Sequence, residues 1–306
     1  MLIVLDPGIE SRIVDLGRPG TRSLGVPVGG AADRRSFLLG NSLIGNPPDA
    51  PALEVALKGP RLRADADTGC VVFGAPFGLW RDGYPLEVGR SFTLRAGEEL
   101  RIGGTSLGVR AYLCVRGGFD AAAILDSRSA LDRLHGGETL SCTKSNVATR
   151  WCPEVNLSRA GEGVLGVVPG LQADWFDPSE VYGQSFTVLP ASNRMGVRLQ
   201  GKPLTMPARE MISEPVSPGA IQVTNDGQCI VLGVDGQTIG GYPKIAHVIQ
   251  ADLDIIGQLR PGAPIRFALV SMDDAVKADR DAQLWLAEWC MRLRLSLDAF
   301  PGERRL

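Results

Sequence analysis

The sequence predicts a mainly β protein made of two similar domains in tandem. Three observations lead to this class: a motif that occurs twice, a series of short apolar runs closed by turn residues, and a length that suits two domains. The chain has 306 residues, whereas a single domain usually has about 100–150. We expect a first domain over residues 1–160 and a second over 161–306, with the linker around 151–163.

The duplication rests on the pattern R-x-G-x-R-x-x-G-x-P, which occurs at 18–27 and again at 194–203. Further matches follow in the same order, namely Glu54 with Glu214, 69–74 with 228–233, and 94–97 with 259–262. The matched positions are offset by 176, 160, 159 and 165 residues, which is too long for a solenoid repeat. We therefore expect the two copies of the motif to form equivalent turns in two related domains.

The β class rests on apolar or alternating runs that end at Gly, Pro, Asp or Asn. Such runs, bounded by turn residues, are typical of barrels and sandwiches. They occur at 69–74, 91–94, 107–115, 185–189, 220–223, 229–234 and 264–270. Arg81-Asp-Gly-Tyr84 carries the Asp-Gly signal of a hairpin turn.

A few helices are expected beside the strands. Apolar spacing predicts one over 31–44, before Gly45-Asn-Pro-Pro48. The run 245–253 fits a helix or a strand, because the period does not separate the two. A long C-terminal helix is predicted over 273–300, and its apolar stripe is expected to dock on its own barrel rather than on a partner. The stripe consists of residues 282, 285, 286, 289, 293 and 297.

Composition excludes several classes of protein. The formal net charge of -2 offers no basic surface for nucleic acid or an anionic membrane, and no apolar run has the length of a membrane span. The 6 cysteines form no C-x-x-C pair, which argues against a disulfide framework or a structural zinc site. We expect no metal and a reduced, cytoplasmic protein, with Cys70 and Cys229 as small buried apolar residues in equivalent strands.

Two segments of the first half combine glycines with charged side chains. Asp15-Leu-Gly17-Arg18-Pro-Gly20 leads into Gly29-Gly30-Ala-Ala-Asp33, where backbone amides and a helix N-terminus favour an anion. Turn formation alone is the other interpretation. Asp126-Ser-Arg128-Ser places an arginine that would bind a carboxylate or phosphate, or it forms a capped turn.

The second copy of the motif contributes two arginines around a glycine. Arg194 and Arg198 suit a bidentate anion clamp. Alternatively, they bind the carboxylate of their own repeat, Glu54 or Glu214, and hold the fold.

One polar segment has no counterpart in the first repeat, which makes it the best candidate for a single active site. It reads Asp235-Gly-Gln237-Thr-Ile-Gly240-Gly241-Tyr242-Pro-Lys244. Lys244 is expected to stabilise a developing oxyanion, and Tyr242 to donate a hydrogen bond. Loops on rigid scaffolds carry function preferentially.

Taken together, these residues resemble the biotin-dependent carboxyltransferase-related proteins, also called allophanate hydrolase subunit 2. This family includes the KipA-type C component of 5-oxoprolinase and the second half of the urea carboxylase carboxyltransferase domain. The resemblance extends from about residue 5 to 270. Its motifs are 15–20, 25–27, 45–47, Asp126-Ser-Arg-Ser129, Pro169-Gly-Leu-Gln172, 193–198 and 235–245.

The resemblance implies two tandem cyclophilin-like β-barrel domains with a few short helices and a C-terminal helix. It also implies a KipI-type B subunit and a lactam-utilisation-type A subunit as partners. With them the chain would hydrolyse 5-oxoproline to glutamate with ATP, whose site is not assigned to this chain. The alternative is carboxyl transfer to a small amide such as urea, with carboxybiotin on a partner.

The chain departs from the family at Val14, where Gln is usual, and at Gly29, within a run that usually reads like Ser-Gly-Ala-Met-Asp. These departures motivate a further alternative, a regulatory subunit that binds a KipI-type partner without chemistry. The expected catalytic residues are Lys244, Tyr242 and Asp15. The expected substrate-binding residues are Arg18, Asp33, Arg128, Arg194, Arg198, Gln237, Gly240 and Gly241.

Overall fold

The computed structural model describes residues 1–152 and 163–298, which form two compact units. Unit 1 comprises Met1–Gly17, Arg34–Leu157 and Leu284–Leu306, and unit 2 comprises Arg18–Asp33 and Ser158–Gln283. Two segments therefore group differently from the contiguous domains that we expected. The expected boundary between 160 and 161, like most of the expected linker, lies outside the described residues and stays a prediction.

Unit 1 is built from two sheets. Its strands are β1 (Leu2–Asp6), β2 (Glu10–Val14), β3 (Ala52–Ala56), β4 (Arg61–Ala64), β5 (Thr68–Gly74), β6 (Leu79–Arg81), β7 (Tyr84–Leu86), β8 (Phe92–Leu94), β9 (Glu99–Ile102), β10 (Arg110–Val115), β11 (Phe119–Asp120) and β12 (Thr139–Cys142). One sheet has the order β11-β12-β1-β4-β9-β6-β7, and the other has β2-β3-β10-β5-β8.

The packing of unit 1 follows from its side-chain pattern. In β4, Leu62 and Ala64 are buried whereas Arg61 and Arg63 are exposed, which is the alternation of a sheet with one covered face. β10 lies between β3 and β5 and is buried along its whole length. Both sheets contribute side chains to one apolar core.

Unit 1 also contains the first helix, α1 (Arg34–Ile44), which confirms the helix predicted over 31–44. Its last carbonyls receive arginine side chains: Arg116 Nη1 donates to Ile44 O at 2.5 Å, and Arg150 Nη1 donates to Leu43 O. Cationic donors at a helix C-terminus satisfy the carbonyls that the helix leaves open. They also counter the negative end of the helix dipole.

Unit 2 is a closed barrel with a small ribbon. Its strands are β13 (Val164–Pro169), β14 (Phe186–Val188), β15 (Gly196–Gln200), β16 (Glu214–Pro215), β17 (Ala220–Val223), β18 (Cys229–Leu232), β19 (Ile239–Gly240), β20 (Lys244–Val248) and β21 (Pro264–Leu269). The barrel order is β13-β20-β17-β18-β15-β14-β21, closed by the parallel pair β13 and β21. β16 and β19 pair only with each other, and we call them the ribbon.

Short helices complete unit 2. They are α2 (Pro178–Tyr182), α3 (Leu253–Ile256) and three 3-10 turns at Thr21–Leu24, Ala173–Trp175 and Gln250–Asp252. The ambiguous run 245–253 is therefore strand β20 as far as Val248, followed by the third of these turns and the first residue of α3. The barrel core is apolar and includes Leu165, Ile221, Val231 and Phe267.

The C-terminal helix α4 (Met272–Asp298) confirms the prediction over 273–300, although 299–300 lie outside the described residues. Of the predicted stripe, Leu293 is buried and residues 282, 285, 286 and 289 are half-buried. The side chain of residue 297 is not described. Arg150 Nη2 donates to Leu293 O, so the same arginine contacts α1 and α4 within unit 1.

The duplication predicts some parts of the fold and not others. Gly97 and Gly262 are equivalent: each has a positive φ, of 89° and 84°, in the turn before a strand. Cys70 and Cys229 are buried in strands, as expected, and burial raises the pKa of both thiols. The two motif copies, however, are not equivalent turns. The first forms a loop with a 3-10 turn, the second runs into β15, and both belong to unit 2.

A mainly β fold with a closed seven-stranded barrel, few helices and a C-terminal helix is thus confirmed. Only unit 2 closes into a barrel among the described residues, whereas unit 1 keeps two sheets. No helix in the described part of the chain is both long and apolar enough to span a membrane.

Candidate functional site

Lys244 begins β20 and is the buried cation of a polar cluster on unit 2. Its side chain is only 8% exposed, and its Nζ donates to Glu214 Oε2 on the ribbon. Its backbone is fixed by Gln172 in both directions: Lys244 N donates to Gln172 Oε1 at 3.0 Å, and Gln172 N donates to Lys244 O at 3.1 Å. The ammonium therefore starts from a rigid position.

Glu214 receives two donors on one carboxylate oxygen. Besides the ammonium of Lys244, Gln172 Nε2 donates to Oε2 at 3.4 Å. The hydrogen bond from Lys244 is the main reason why the pKa of the Glu214 carboxyl lies below its usual value. Because the Glu214 side chain is 39% exposed, solvent reaches this carboxylate although its cationic partner is buried.

Gln222 lies beside Lys244 on the neighbouring strand β17, opposite it in the register. Its neighbours Ile221 and Val223 belong to the barrel core, so Gln222 points to the outer face of the barrel wall. The residue is only 1% exposed, and its Nε2 has no hydrogen-bond partner among the described residues. A buried amide nitrogen without a partner costs about 1–3 kcal/mol. Such a group calls for an explanation, and a ligand carbonyl is one kind of partner that would satisfy it.

The ribbon covers Gln222 through Gly240. A Cβ added to Gly240 would lie 2.5 Å from Gln222 Nε2 and 2.9 Å from Gln237 Nε2. Gln237 Nε2 in turn donates a long hydrogen bond of 3.5 Å to Gln222 Oε1. The structure thus brings together Lys244, Gln237 and Gly240 of the predicted site.

Gly240→Ala is expected to displace the buried Gln222 amide and to destabilise unit 2 by about 1–3 kcal/mol, the usual cost of overpacking. The matched control is Gly241→Ala, because a Cβ there meets only Ser213 Oγ, at 3.2 Å. Urea unfolding of both variants would check the difference. Equal losses in the two would contradict the tight contact at Gly240.

Tyr242 and Gly241 lie between the ribbon and β20. Tyr242 is half-buried, and its phenol makes no hydrogen bond within the described residues. Gly241 is exposed. Both are near the cluster in sequence, and their predicted roles in catalysis and binding stay predictions.

A second cluster on unit 2 surrounds Asp235. Arg194 Nε donates to Asp235 Oδ2 at 2.7 Å, and Nη2 donates to Oδ1 at 2.9 Å and to Gly30 O at 2.7 Å. Arg18 also lies here, since a Cβ on Gly29 would be 3.1 Å from its Nη1 and 3.8 Å from Asp235 Oδ1. Arg194 thus pairs with a carboxylate that is neither Glu54 nor Glu214.

The remaining predicted residues of unit 2 lie in other surroundings. Arg198 is exposed on β15, so the two arginines of the motif do not form one clamp. Arg194 lies in the loop before β15, whereas Arg198 lies within the strand. Because a strand is extended, each residue along it lies further from that loop. Asp33 is buried and accepts from Gln258 Nε2 at 2.7 Å.

Asp15 belongs to unit 1, where it organises the loop after β11. Its Oδ1 accepts from Ser127 Oγ at 2.7 Å, Ser129 Oγ at 2.7 Å and Gly17 N at 2.8 Å, while Oδ2 accepts from Arg128 N at 2.6 Å. Burial alone would raise the pKa of Asp15, but these hydrogen bonds together lower it. A saturated carboxylate with a low pKa suits a structural role better than that of a base.

The guanidinium of Arg128 points away from this network. It donates to Asp120 Oδ1 at 3.2 Å and to Ala121 O at 2.5 Å, and it is 45% exposed. The capped-turn interpretation of Asp126-Ser-Arg128-Ser therefore describes the observed contacts, because the backbone of Arg128 and both serine hydroxyls bind Asp15.

Asp15→Asn is expected to destabilise unit 1 by about 1–3 kcal/mol at neutral pH, because an amide cannot accept from all four donors. In the wild type, the folded pKa of Asp15 is depressed. Its contribution is therefore present above the unfolded pKa of about 4 and is lost as the pH falls through the folded value. The difference between the two proteins should shrink in acid.

The measurement is urea unfolding at a series of pH values from neutral to acid. Asp126→Asn is the matched control, since Asp126 is exposed in the same loop at φ 62°, which asparagine tolerates. A constant difference between Asp15→Asn and wild type at every pH would exclude this role for Asp15.

Three residues of the Lys244 cluster were not predicted as site residues: Gln172, Glu214 and Gln222. Gln222 had a readable signal, because it is the single polar residue in the apolar run Ala220–Val223. Gln172 and Glu214 are distant from Lys244 in sequence, and no spacing rule connects them. Among the described residues, no group of His, Cys, Asp and Glu is arranged to hold a metal ion.

Several known proteins resemble this chain in sequence and in fold. The C component of 5-oxoprolinase from Haemophilus influenzae is 34% identical over 301 residues, which cover 94% of this chain and 96% of that protein. The crystal structure of TTHA0988 matches with 34% identity and a TM-score of 0.79, over 87% of this chain and 56% of that one. The crystal structure of the K. lactis urea amidolyase matches with 28% identity and a TM-score of 0.84.

The urea amidolyase match covers 94% of this chain but only 20% of the other, so this chain spans about a fifth of it. Residues 24–269 match the family described as carboxyltransferase domain, subdomain A and B. This range includes the Lys244 cluster, the Asp235 cluster except Arg18, and most of unit 1. The chain belongs to the carboxyltransferase domain family, subdomains A and B.

Proposed function

We propose that the chain is the C-type component of a 5-oxoprolinase-like complex, which opens 5-oxoproline to glutamate with ATP. The observation that carries this proposal is the Lys244 cluster, where a buried ammonium and a buried unpaired amide lie side by side on the barrel wall. Its support is the similarity to the C component of the H. influenzae 5-oxoprolinase over nearly the full length of both chains.

In this function Lys244 supplies positive charge to an anionic oxygen of the substrate, and Gln222 donates a hydrogen bond to its lactam carbonyl. A buried ammonium is more effective here than in water, because the surrounding dielectric is low. Gln172 keeps the backbone of Lys244 in place. The hydroxyl of water joins the lactam carbonyl carbon, the bond from that carbon to the ring nitrogen breaks, and the nitrogen takes up the remaining proton to become the amine of glutamate.

The proposed partners are a KipI-type B subunit and a lactam-utilisation-type A subunit in the cytoplasm. We assign ATP to those partners, because the cluster offers one ammonium already balanced by the carboxylate of Glu214 and does not match a triphosphate. In this proposal the residues of this chain act on the lactam and do not contact ATP.

The test is ATP hydrolysis by the complex assembled from this chain and its B and A partners. We expect hydrolysis that depends on 5-oxoproline and yields glutamate, and that needs all three subunits. ATP consumption that does not respond to 5-oxoproline in a fully assembled complex would reject the proposal.

A second candidate is carboxyl transfer from carboxybiotin on a partner to a small amide such as urea. The TM-score of 0.84 to the K. lactis urea amidolyase favours it. Replacing 5-oxoproline by urea and bicarbonate, with a biotin carboxylase as partner, distinguishes the two. A purely regulatory subunit would bind a KipI-type partner but show no turnover in either assay.

A further inference from the structure

Glu214 occupies a site that is built to receive a carboxylate. Lys244 Nζ and Gln172 Nε2 converge on the same oxygen, Oε2. Both donors are fixed in the barrel unit, Lys244 at the start of β20 and Gln172 before the 3-10 turn at Ala173–Trp175. The acceptor, by contrast, is on the ribbon, which shares no strand pairing with the barrel.

The ribbon is attached to the barrel unevenly. Just beyond Glu214, Val216 packs with Ala220 and Leu232 in a small apolar cluster, and Val216 N donates to Thr238 O at 3.0 Å. On the other side, the chain leading to Glu214 is largely exposed, and Ile212 is 87% exposed. The end of the ribbon that carries Glu214 and Gly240 is therefore held by the ion pair with Lys244 rather than by apolar packing.

The same end of the ribbon also covers the unpaired amide. Gly240 pairs with Glu214 across the ribbon. Gly240 also lies so close to Gln222 Nε2 that there is no room for a Cβ between them. If this end moves outward, two donors become available at once: the ammonium of Lys244, which has lost Glu214, and the amide of Gln222, which had no partner. An anion would replace the first contact and a carbonyl would satisfy the second.

We infer that the ribbon is a gate, and that Glu214 stands in for the carboxylate of a small substrate that carries both a carboxylate and an amide carbonyl. The substrate carboxylate displaces Glu214 from Lys244 and Gln172, and its lactam carbonyl accepts from Gln222. The substrate class rests on the function proposed above, since 5-oxoproline has both groups. Urea has no carboxylate and would leave Glu214 in place.

The test compares binding of 5-oxoproline and of 2-pyrrolidinone, the same lactam without its carboxylate, to the full chain by calorimetry. Glu214→Gln removes the competing charge and is expected to tighten 5-oxoproline binding about tenfold, because a site closed nine-tenths of the time binds tenfold more weakly. Binding of 2-pyrrolidinone needs the same open ribbon and should gain by a similar factor, but it should remain weaker than binding of 5-oxoproline, because 2-pyrrolidinone has no carboxylate for Lys244. Glu210→Gln, an exposed glutamate on the same segment, is the control and should change neither.

Weaker binding of 5-oxoproline to Glu214→Gln than to the wild type would overturn the gate, and equal affinities of the two lactams for Glu214→Gln would overturn the carboxylate site. Acetate separates this inference from the proposed function. It should raise the melting temperature of Glu214→Gln, but not that of the wild type or of the double variant that also carries Lys244→Met. No effect of acetate on Glu214→Gln would reject the carboxylate site even if the complex consumed 5-oxoproline. If acetate raises the melting temperature of Glu214→Gln but the complex does not turn over 5-oxoproline, the carboxylate site is supported and 5-oxoproline is rejected as its substrate.

Discussion

Lys244→Met should lower the kcat/KM of the assembled complex for 5-oxoproline about 100- to 1,000-fold, because removing one partner of a buried charge pair costs about 2–5 kcal/mol. Methionine keeps the length and much of the apolar stem of lysine, so the packing of this buried side chain is preserved. What is lost is the ammonium, which in the resting chain binds Glu214. The measurement is the kcat/KM of wild-type and variant complexes, from initial rates over a series of 5-oxoproline concentrations.

Lys277→Met provides the control, because Lys277 is exposed on α4 and pairs with Asp281 one turn further along. It should leave turnover unchanged. The Lys244 variant should still fold, since Glu214 is 39% exposed and water can hydrate it once its partner is gone. A kcat/KM within about threefold of wild type for Lys244→Met in a correctly assembled complex would exclude Lys244 from the substrate site.

Arg194→Ala is expected to produce the largest loss of stability, about 3 kcal/mol, the lower end of the range for breaking a buried ion pair. The lower end applies because the Asp235 side chain is 26% exposed and water partly replaces the guanidinium. The arginine itself is 5% exposed and also donates to Gly30 O, which loses that donor. The free energy of unfolding in urea is the measurement.

Arg198→Ala is the matched control from the same motif. Arg198 is exposed on β15, and substitutions at such positions usually change stability by less than about 0.5 kcal/mol. Arg194→Lys adds a second comparison, because lysine keeps the charge but cannot bind both oxygens of Asp235 in a fork. If Arg194→Ala and Arg198→Ala were equally stable, the ion pair would contribute nothing.

Local sequence patterns predicted the elements of this fold well, because their signals are short-range. The alternation in β4 and the apolar runs that became β5 and β18 report burial of one or both faces of a strand. Likewise, the period of residues 282–293 reports one covered face of α4. Such patterns depend only on neighbours within a few residues.

The grouping of segments into units was not predictable in the same way. Residues 18–27 and 194–203 look like equivalent parts of two domains, yet both belong to unit 2. The repeat shows that both copies contain the same residue types, and the structure places arginines of both copies near Asp235. It does not show which unit each copy belongs to. No local pattern in 18–33 or 284–298 encodes their long-range grouping.

The site was predictable to the extent that its residues are close in sequence. Gln237, Gly240 and Lys244 lie within one unduplicated segment, and the structure gathers them. Asp15 and Arg18 are also close in sequence, but the chain passes from unit 1 to unit 2 between Gly17 and Arg18. Gln172 comes from the loop before a 3-10 turn and Glu214 from the ribbon, so only the fold reveals that they meet at Lys244.

The grouping of 18–33 with unit 2 has a consequence for the order of events on the ribosome. Residues 18–33 are made before most of unit 1, whereas the rest of unit 2 is made after it. Since translation proceeds at roughly 5–20 residues per second, the segment is synthesised several seconds before the remainder of its unit. Unit 1, in turn, lacks its last segment until residue 284 and beyond have been made. Neither unit is complete when the first half of the chain emerges, and each gains its last segment only late in synthesis.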